Sequence, residues 1–260
     1  MRRLLAAVVL SVTILGFQVP AHALSPADAR CRKALAGAAF KLAAATVKEQ
    51  QRCHKIRMGS LDAVTYPVTL DCNDIESLPE KAQGKIAKAA RKLTLAAEKK
   101  CQGIASPPAT LGFLSCGAPC ETLPITSSYT SVAACLSCQI ESVASELDLA
   151  LYGMPPDPPV QSDANDTLKC QVTIGGLAGK LAFAIMKIQH TCQYLEDLGS
   201  LSADCITYDP KGKIAKLASG LIGALDGKCS VSDLASLGSC GTDYPTAAAC
   251  IGAESTAAVG

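Results

Sequence analysis

The phrase "GKIAKAARKLTLAAEKKC" ends at Cys101, and "GKIAKLASGLIGALDGKC" ends at Cys229; the two agree at ten of eighteen positions. A chain that writes one amphipathic phrase twice, and closes it on cysteine both times, is committed to building one element twice and fixing it at the same end. The duplication is wider than this phrase. Cys31 to Cys53, "CRKALAGAAFKLAAATVKEQQRC", aligns without a gap on Cys170 to Cys192, "CQVTIGGLAGKLAFAIMKIQHTC", with ten of twenty-three positions identical. The identities include both cysteines, Gly37/Gly176, Lys41/Lys180, Leu42/Leu181 and Gln50/Gln189. Shorter pieces follow in the same order: "GSL" at Gly59 and Gly199, "DC" at Cys72 and Cys205, "SCG" at Cys116 and Cys240, "AAC" at Cys135 and Cys250. A tandem repeat of this kind sets the fold.

Apolar periodicity makes the repeated element a helix. Leu35, Ala38, Leu42 and Ala45 recur at three- and four-residue steps behind a start at "SPAD", where Ser25 caps and Pro26 suits the first helical position. Gly59 is a natural stop. A second helix from near Pro79 carries Ile86, Ala89, Ala90, Leu93 and Ala97, and a third, after "SSYT", carries Val132, Leu136, Ile140, Val143 and Leu147. In the second copy Asp163 or Asn165 precedes helix one, Asp209-Pro210 opens helix two and Pro245 lies near the start of helix three, which the end of the chain cuts short. That shortening exposes part of the second core unless the first copy or a partner covers it. The only β-like run, "AVTYPVTL" from Ala63, is interrupted by Pro67. The predicted fold is all-α: two tandem disulfide-stapled three-helix units, 24–152 and 165–260, joined by a Pro-rich linker at 153–164.

The amino terminus predicts export. Arg2 and Arg3 precede an apolar run from Leu4 to Phe17, and Ala21-His22-Ala23 offers a signal-peptidase site, so residues 1–23 read as a secretory signal peptide. The destination is the periplasm or the exterior. All fourteen cysteines lie beyond it, and an even number in an exported chain reads as disulfides. There is no Trp, aromatic residues make up 4%, and alanine dominates the apolar content. Alanine faces bury little area at roughly 25 cal/mol per Å², so such a core needs cross-links.

Eight cysteines in one copy allow on the order of a hundred connectivities, but the repeat narrows them. The second copy lacks counterparts of Cys120 and Cys138, where Tyr244 and Ala253 stand; two cysteines lost together predict the pair Cys120–Cys138. Two antiparallel helices of matched length put Cys31 beside Cys101, and Cys53 beside the loop holding Cys72. The same arrangement in the second copy gives Cys170–Cys229 and Cys192–Cys205. Cys116–Cys135 and Cys240–Cys250 then pin the long loop to the third helix.

After loss of the signal peptide the chain keeps 22 basic residues against 23 acidic ones. No global field draws it to nucleic acid or to an anionic membrane. The most apolar later stretch, "VTIGGLAGKLAFAIM" from Val172, is interrupted by Lys180 and is short for a span, so no integral membrane segment is expected in the mature chain. The first copy carries 15 basic and 12 acidic residues from Leu24 to Tyr152, the remainder 7 and 11, and opposite signs favour packing between the repeats or self-association.

Cys135-Leu-Ser-Cys138 is a C-x-x-C at a helix start, the setting of a redox thiolate, but no strand–helix alternation surrounds it and the second copy discards half of it. Gln139 stands where a c-type haem motif needs His. His54 and His190 read as polar residues near helix ends, and no zinc cluster, nucleophile elbow, phosphate loop or dinucleotide fingerprint is present. "IGGLAG" from Ile174 reads as close helix packing. Lys81, Lys85, Lys88 and Lys92 form a positive stripe on helix two, of which the second copy keeps Lys213 and Lys216. Asn165-Asp166-Thr167 is a formal glycosylation sequon.

The phrases "GKIAKA…KKC", "FKLAAATVKEQQRC", "SCGAPC" and "AACLSC" together resemble the Ala/Lys-rich, cysteine-framed tandem helical repeats of uncharacterised exported bacterial proteins. The resemblance implies export and repetition and supplies no catalytic, cofactor or metal residues. The sequence therefore predicts a non-enzymatic exported module, used for binding or as an envelope or extracellular structural part, with no cofactor. The alternatives are a carrier of an apolar small molecule or lipid, favoured by a Leu/Ile-lined pocket above about 300 Å³ enclosed within one unit, and a thiol–disulfide oxidoreductase, which requires Cys135 and Cys138 to pair with one another.

Overall fold

A computed structural model describes residues 23–58, 64–65, 67, 69–152, 165–237 and 240–257. The proposed signal peptide, Ala23 apart, and the proposed linker 153–164 lie outside the described residues, as does the helix stop at Gly59. The fold is all-α: α1 Pro26–Met58, α2 Glu80–Lys100, α3 Tyr129–Tyr152, α4 Asn165–Asp197, α5 Lys213–Ser219, α6 Leu221–Asp226, α7 Val231–Leu237 and α8 Tyr244–Ala257, with no strand among the described residues.

Local chemistry sets the helix starts. The Asp28 N–H donates to Ser25 Oγ at 3.2 Å while the Ser25 hydroxyl donates to Asp28 Oδ2 at 2.7 Å, a reciprocal cap that begins α1. The Asp28 carboxylate also accepts from the Ser106 N–H at 2.7 Å, so the start of α1 holds the loop after α2. Burial pushes this carboxyl up, but the hydrogen bonds from Ser25 and Ser106 outweigh it and leave the group below its ordinary value. At the start of α5, Asp209 accepts from the N–H groups of Lys213, Ile214 and Ala215.

α1, α2 and α3 enclose one core. Ala82, Ile86, Ala89, Leu93 and Ala97 form the buried face of α2 and meet Leu35 and Leu42 of α1 and Val132 of α3. Much of this interior is alanine, as the composition predicts.

The second copy departs from three helices. Its middle helix is divided at Gly220 into α5 and α6, and α7 is added in the following loop. Gly220, Gly223 and Gly227 stand where α2 has Lys92, Leu95 and Lys99, and each glycine inside a helix costs about 1 kcal/mol relative to alanine. The third helix, α8, has 14 residues against 24 in α3. The core this would leave open is covered from within the chain: Ala144, Leu147, Leu151 and Tyr152, from the second half of α3, pack with Ile174, Leu181, Leu225 and Ile251. Side chains of the first copy thus complete the core of the second.

α1 and α4, each 33 residues and about 50 Å long, pack side by side and antiparallel. Arg32 Nη1 lies 2.7 Å from Asp197 Oδ1, the Phe40 and Phe183 rings meet edge-on at 5.7 Å, and Gln51 Nε2 donates to the Gly175 carbonyl at 2.8 Å. Lys33 Nζ sits 3.8 Å above the Tyr194 ring. Burial raises the Asp197 carboxyl against the opposing charge of Arg32, and burial likewise lowers the Arg32 guanidinium. By length and composition α4 is the one described helix that could cross a membrane, but half of its most apolar window is buried in this interior.

Candidate functional site

The site is built by the same departure that breaks the second copy. In α2, Ile86 and Ala89 are buried against α1; their counterparts in α5, Ile214 and Leu217, are only partly buried. Leucine replaces alanine at the contact, the helix is shortened to two turns, and Gly220 ends it. Between α4 and α5–α6 this leaves a groove of about 520 Å³. Leu177 and Leu181 of α4 and Leu217 and Leu221 of α5–α6 form its apolar floor. Three cations stand among them: Lys180 on α4, and Lys213 and Lys216 one turn apart on α5. All three are exposed, and none forms an ion pair among the described residues.

The corresponding lysine of the first copy is neutralised. Lys85 Nζ lies 2.7 Å from Glu49 Oε1, an acid on α1 that is itself buried. The position of Glu49 in the second copy is Ile188. Lys213, the counterpart of Lys85, therefore faces α4 without the carboxylate that the first copy supplies.

A second constellation is polar and buried. His54 Nε2 is 2.9 Å from Asn73 Oδ1 and 3.5 Å from Asp148 Oδ2, and the imidazole stacks on the Tyr152 ring at 4.0 Å between centroids. Gln50 Nε2 donates to the Asn73 carbonyl at 2.9 Å. The His54 and Asp148 side chains have no solvent-accessible surface. They join α1, α3 and the loop after α1 where the two cores meet, a position that suits packing and gives a substrate no entry. The sequence places His54 as a polar residue near a helix end; the structure has it there, in the last turns of α1, and buries it, because α3 folds back over that end of α1. His190 is half-buried at the α1–α4 interface, 3.3 Å from the Lys33 carbonyl, and burial lowers its imidazole.

The structure brings the cysteines together as Cys31–Cys101, Cys53–Cys72, Cys116–Cys135, Cys120–Cys138, Cys170–Cys229, Cys192–Cys205 and Cys240–Cys250, with Cα separations of 4.6 to 6.1 Å. These fourteen are all the cysteines of the chain. Cys135 and Cys138 reach different partners across the loop and not each other. Among the described residues no three His, Cys, Asp or Glu side chains gather in a metal-binding group. The "IGGLAG" stretch is a close approach: a Cβ on Gly175 would lie 2.2 Å from the Tyr152 hydroxyl. The groove escaped sequence reasoning, although its signals, the three glycines after Leu217 and the Glu49-to-Ile188 exchange, stand in the aligned copies.

No protein-family model, no curated protein and no solved structure matches the chain.

Proposed function

We propose that this is an exported, non-enzymatic binding protein that holds the apolar part of a small ligand in the groove between α4 and α5–α6. The observation that carries this reading is the groove itself: about 520 Å³ with a leucine floor, at the place where the first copy packs its helices closed. Volumes of roughly 300–1,000 Å³ with an apolar lining are those of small-molecule sites. Seven disulfides suit a chain that works in an oxidising compartment, the periplasm or the exterior. The redox alternative is not favoured, because Cys135 and Cys138 are each engaged elsewhere.

The test uses the oxidised mature chain and the neutral fluorophore N-phenyl-1-naphthylamine. Saturable one-to-one binding that Leu217→Glu abolishes, with unchanged helicity, supports the reading. Absence of saturable binding, or binding indifferent to Leu217→Glu, rejects it. Leu217 lines the groove and packs on the core as a partly buried side chain, so unchanged helicity is the control for folding.

A further inference from the structure

We propose that the groove takes a single-chain amphiphile with an anionic end, a soluble long-chain carboxylate, and that Lys180, Lys213 and Lys216 receive its head group. This rests on the groove reading above and goes further by naming the chemistry of the ligand.

Three observations lead to it. The groove joins a leucine floor to three exposed lysines, so an occupant that matches the whole surface is apolar along one part and negative at another. Lys213 and Lys216 are three residues apart on one helix and share a face, with Lys180 on the opposing wall. The cations are also uncompensated by design of the sequence: the acid that neutralises Lys85 in the first copy is replaced by Ile188 in the second. The acid closest in sequence to Lys213 and Lys216, Asp209, spends its carboxylate on the N–H groups of Lys213, Ile214 and Ala215. The overall composition makes this local excess more pointed. Beyond Tyr152 the chain carries 7 basic residues against 11 acidic ones, yet three of those seven line one groove.

The concavity selects a monomer over a membrane surface. A bilayer meets a convex or flat face; an open groove of about 520 Å³ has room for one chain. The exposed lysines of the groove hold a carboxylate by charge-assisted hydrogen bonds, and the leucines remove the methylene chain from water. A neutral hydrocarbon leaves the lysines unmatched, and a bare anion leaves the leucines unmatched.

The experiment displaces N-phenyl-1-naphthylamine from the oxidised mature chain at pH 7.5, with dodecanoate and with dodecan-1-ol. Dodecanoate is expected to compete at about tenfold lower concentration than the alcohol, the combined effect of two or three partly exposed ion pairs. In K213Q/K216Q that preference is expected to fall to near parity while competition by the alcohol is unchanged. In K85Q/K88Q, the matching pair on α2, the preference is expected to stay. Equal competition by acid and alcohol in the native chain overturns the proposal and leaves the apolar groove standing. So does a preference that survives K213Q/K216Q. Co-sedimentation with anionic phospholipid vesicles, without competition by dodecanoate, overturns it in favour of a membrane surface. If the probe itself does not bind, the groove reading fails first and this proposal with it.

Discussion

Gly175 shows how closely single residues are constrained where α4 meets the rest of the chain. A Cβ there would sit 2.2 Å from the Tyr152 hydroxyl and 2.9 Å from the ring carbon that bears it. The ring has nowhere to go, since it is buried and stacked on His54. Gly175→Ala is therefore expected to destabilise the protein by about 1–3 kcal/mol. Next to it, Gly176 has nothing within 4 Å of a Cβ position, and Gly176→Ala is expected to stabilise by about 0.5–1 kcal/mol through helix propensity. Urea unfolding of the two variants gives opposite signs if the packing is as described. Asp28 makes a pH prediction. Its folded pKa lies below the ordinary 3.8, so its contribution is present above that pH and is lost as pH falls through the folded value. Asp28→Asn is expected to be less stable than the native protein at pH 7, with the gap closing below pH 4 in acid unfolding followed by circular dichroism.

Among the elements, α3 does work for both halves of the chain. Its first half closes the core of α1 and α2; its second half replaces the part of the third helix that α8 lacks. Leu151, buried in the second of these cores, is the test. Leu151→Ala is expected to cost about 2–5 kcal/mol, and hydrogen exchange is expected to show the loss in α4 and α8 more than in α2. Loss confined to α1 and α2 would contradict the role of α3 in the second core. The helices themselves were legible in the sequence because local signals agree: Ser25 and Asp28 cap α1, and Ile86, Ala89, Leu93 and Ala97 repeat at helical steps. The division of α5 from α6 was less so. Leu217, Leu221 and Leu225 keep the same period as α2, and the glycines between them weaken the helix without erasing its pattern. Whether a helix breaks at such a point depends on what packs behind it, and that is decided by contacts distant in sequence.

For the whole molecule, the duplicated phrases told which cysteine ends which helix, and each of the seven proposed pairs lies within bonding distance. The antiparallel pairing of α1 with α4 could not be read in the same way. Arg32 and Asp197 are 165 residues apart, in positions the two copies do not share. The burial of His54 depends on α3 folding back over α1, another contact distant in sequence. The composition did announce why covalent links are needed. Alanines 29, 38, 43, 82, 89, 97 and 133 are buried, and each removes far less area from water than a leucine would. A disulfide contributes about 2–4 kcal/mol by restricting the unfolded chain, so several together rival the whole stability of a small domain, about 5–15 kcal/mol. Calorimetry of the mature protein with and without dithiothreitol, with thiols counted in denaturant, addresses this directly. The account predicts no free thiols before reduction, cooperative melting of the oxidised chain, and loss of that transition once the bridges are reduced. Free thiols throughout the air-oxidised protein, or a cooperative melt unchanged by full reduction, would contradict it.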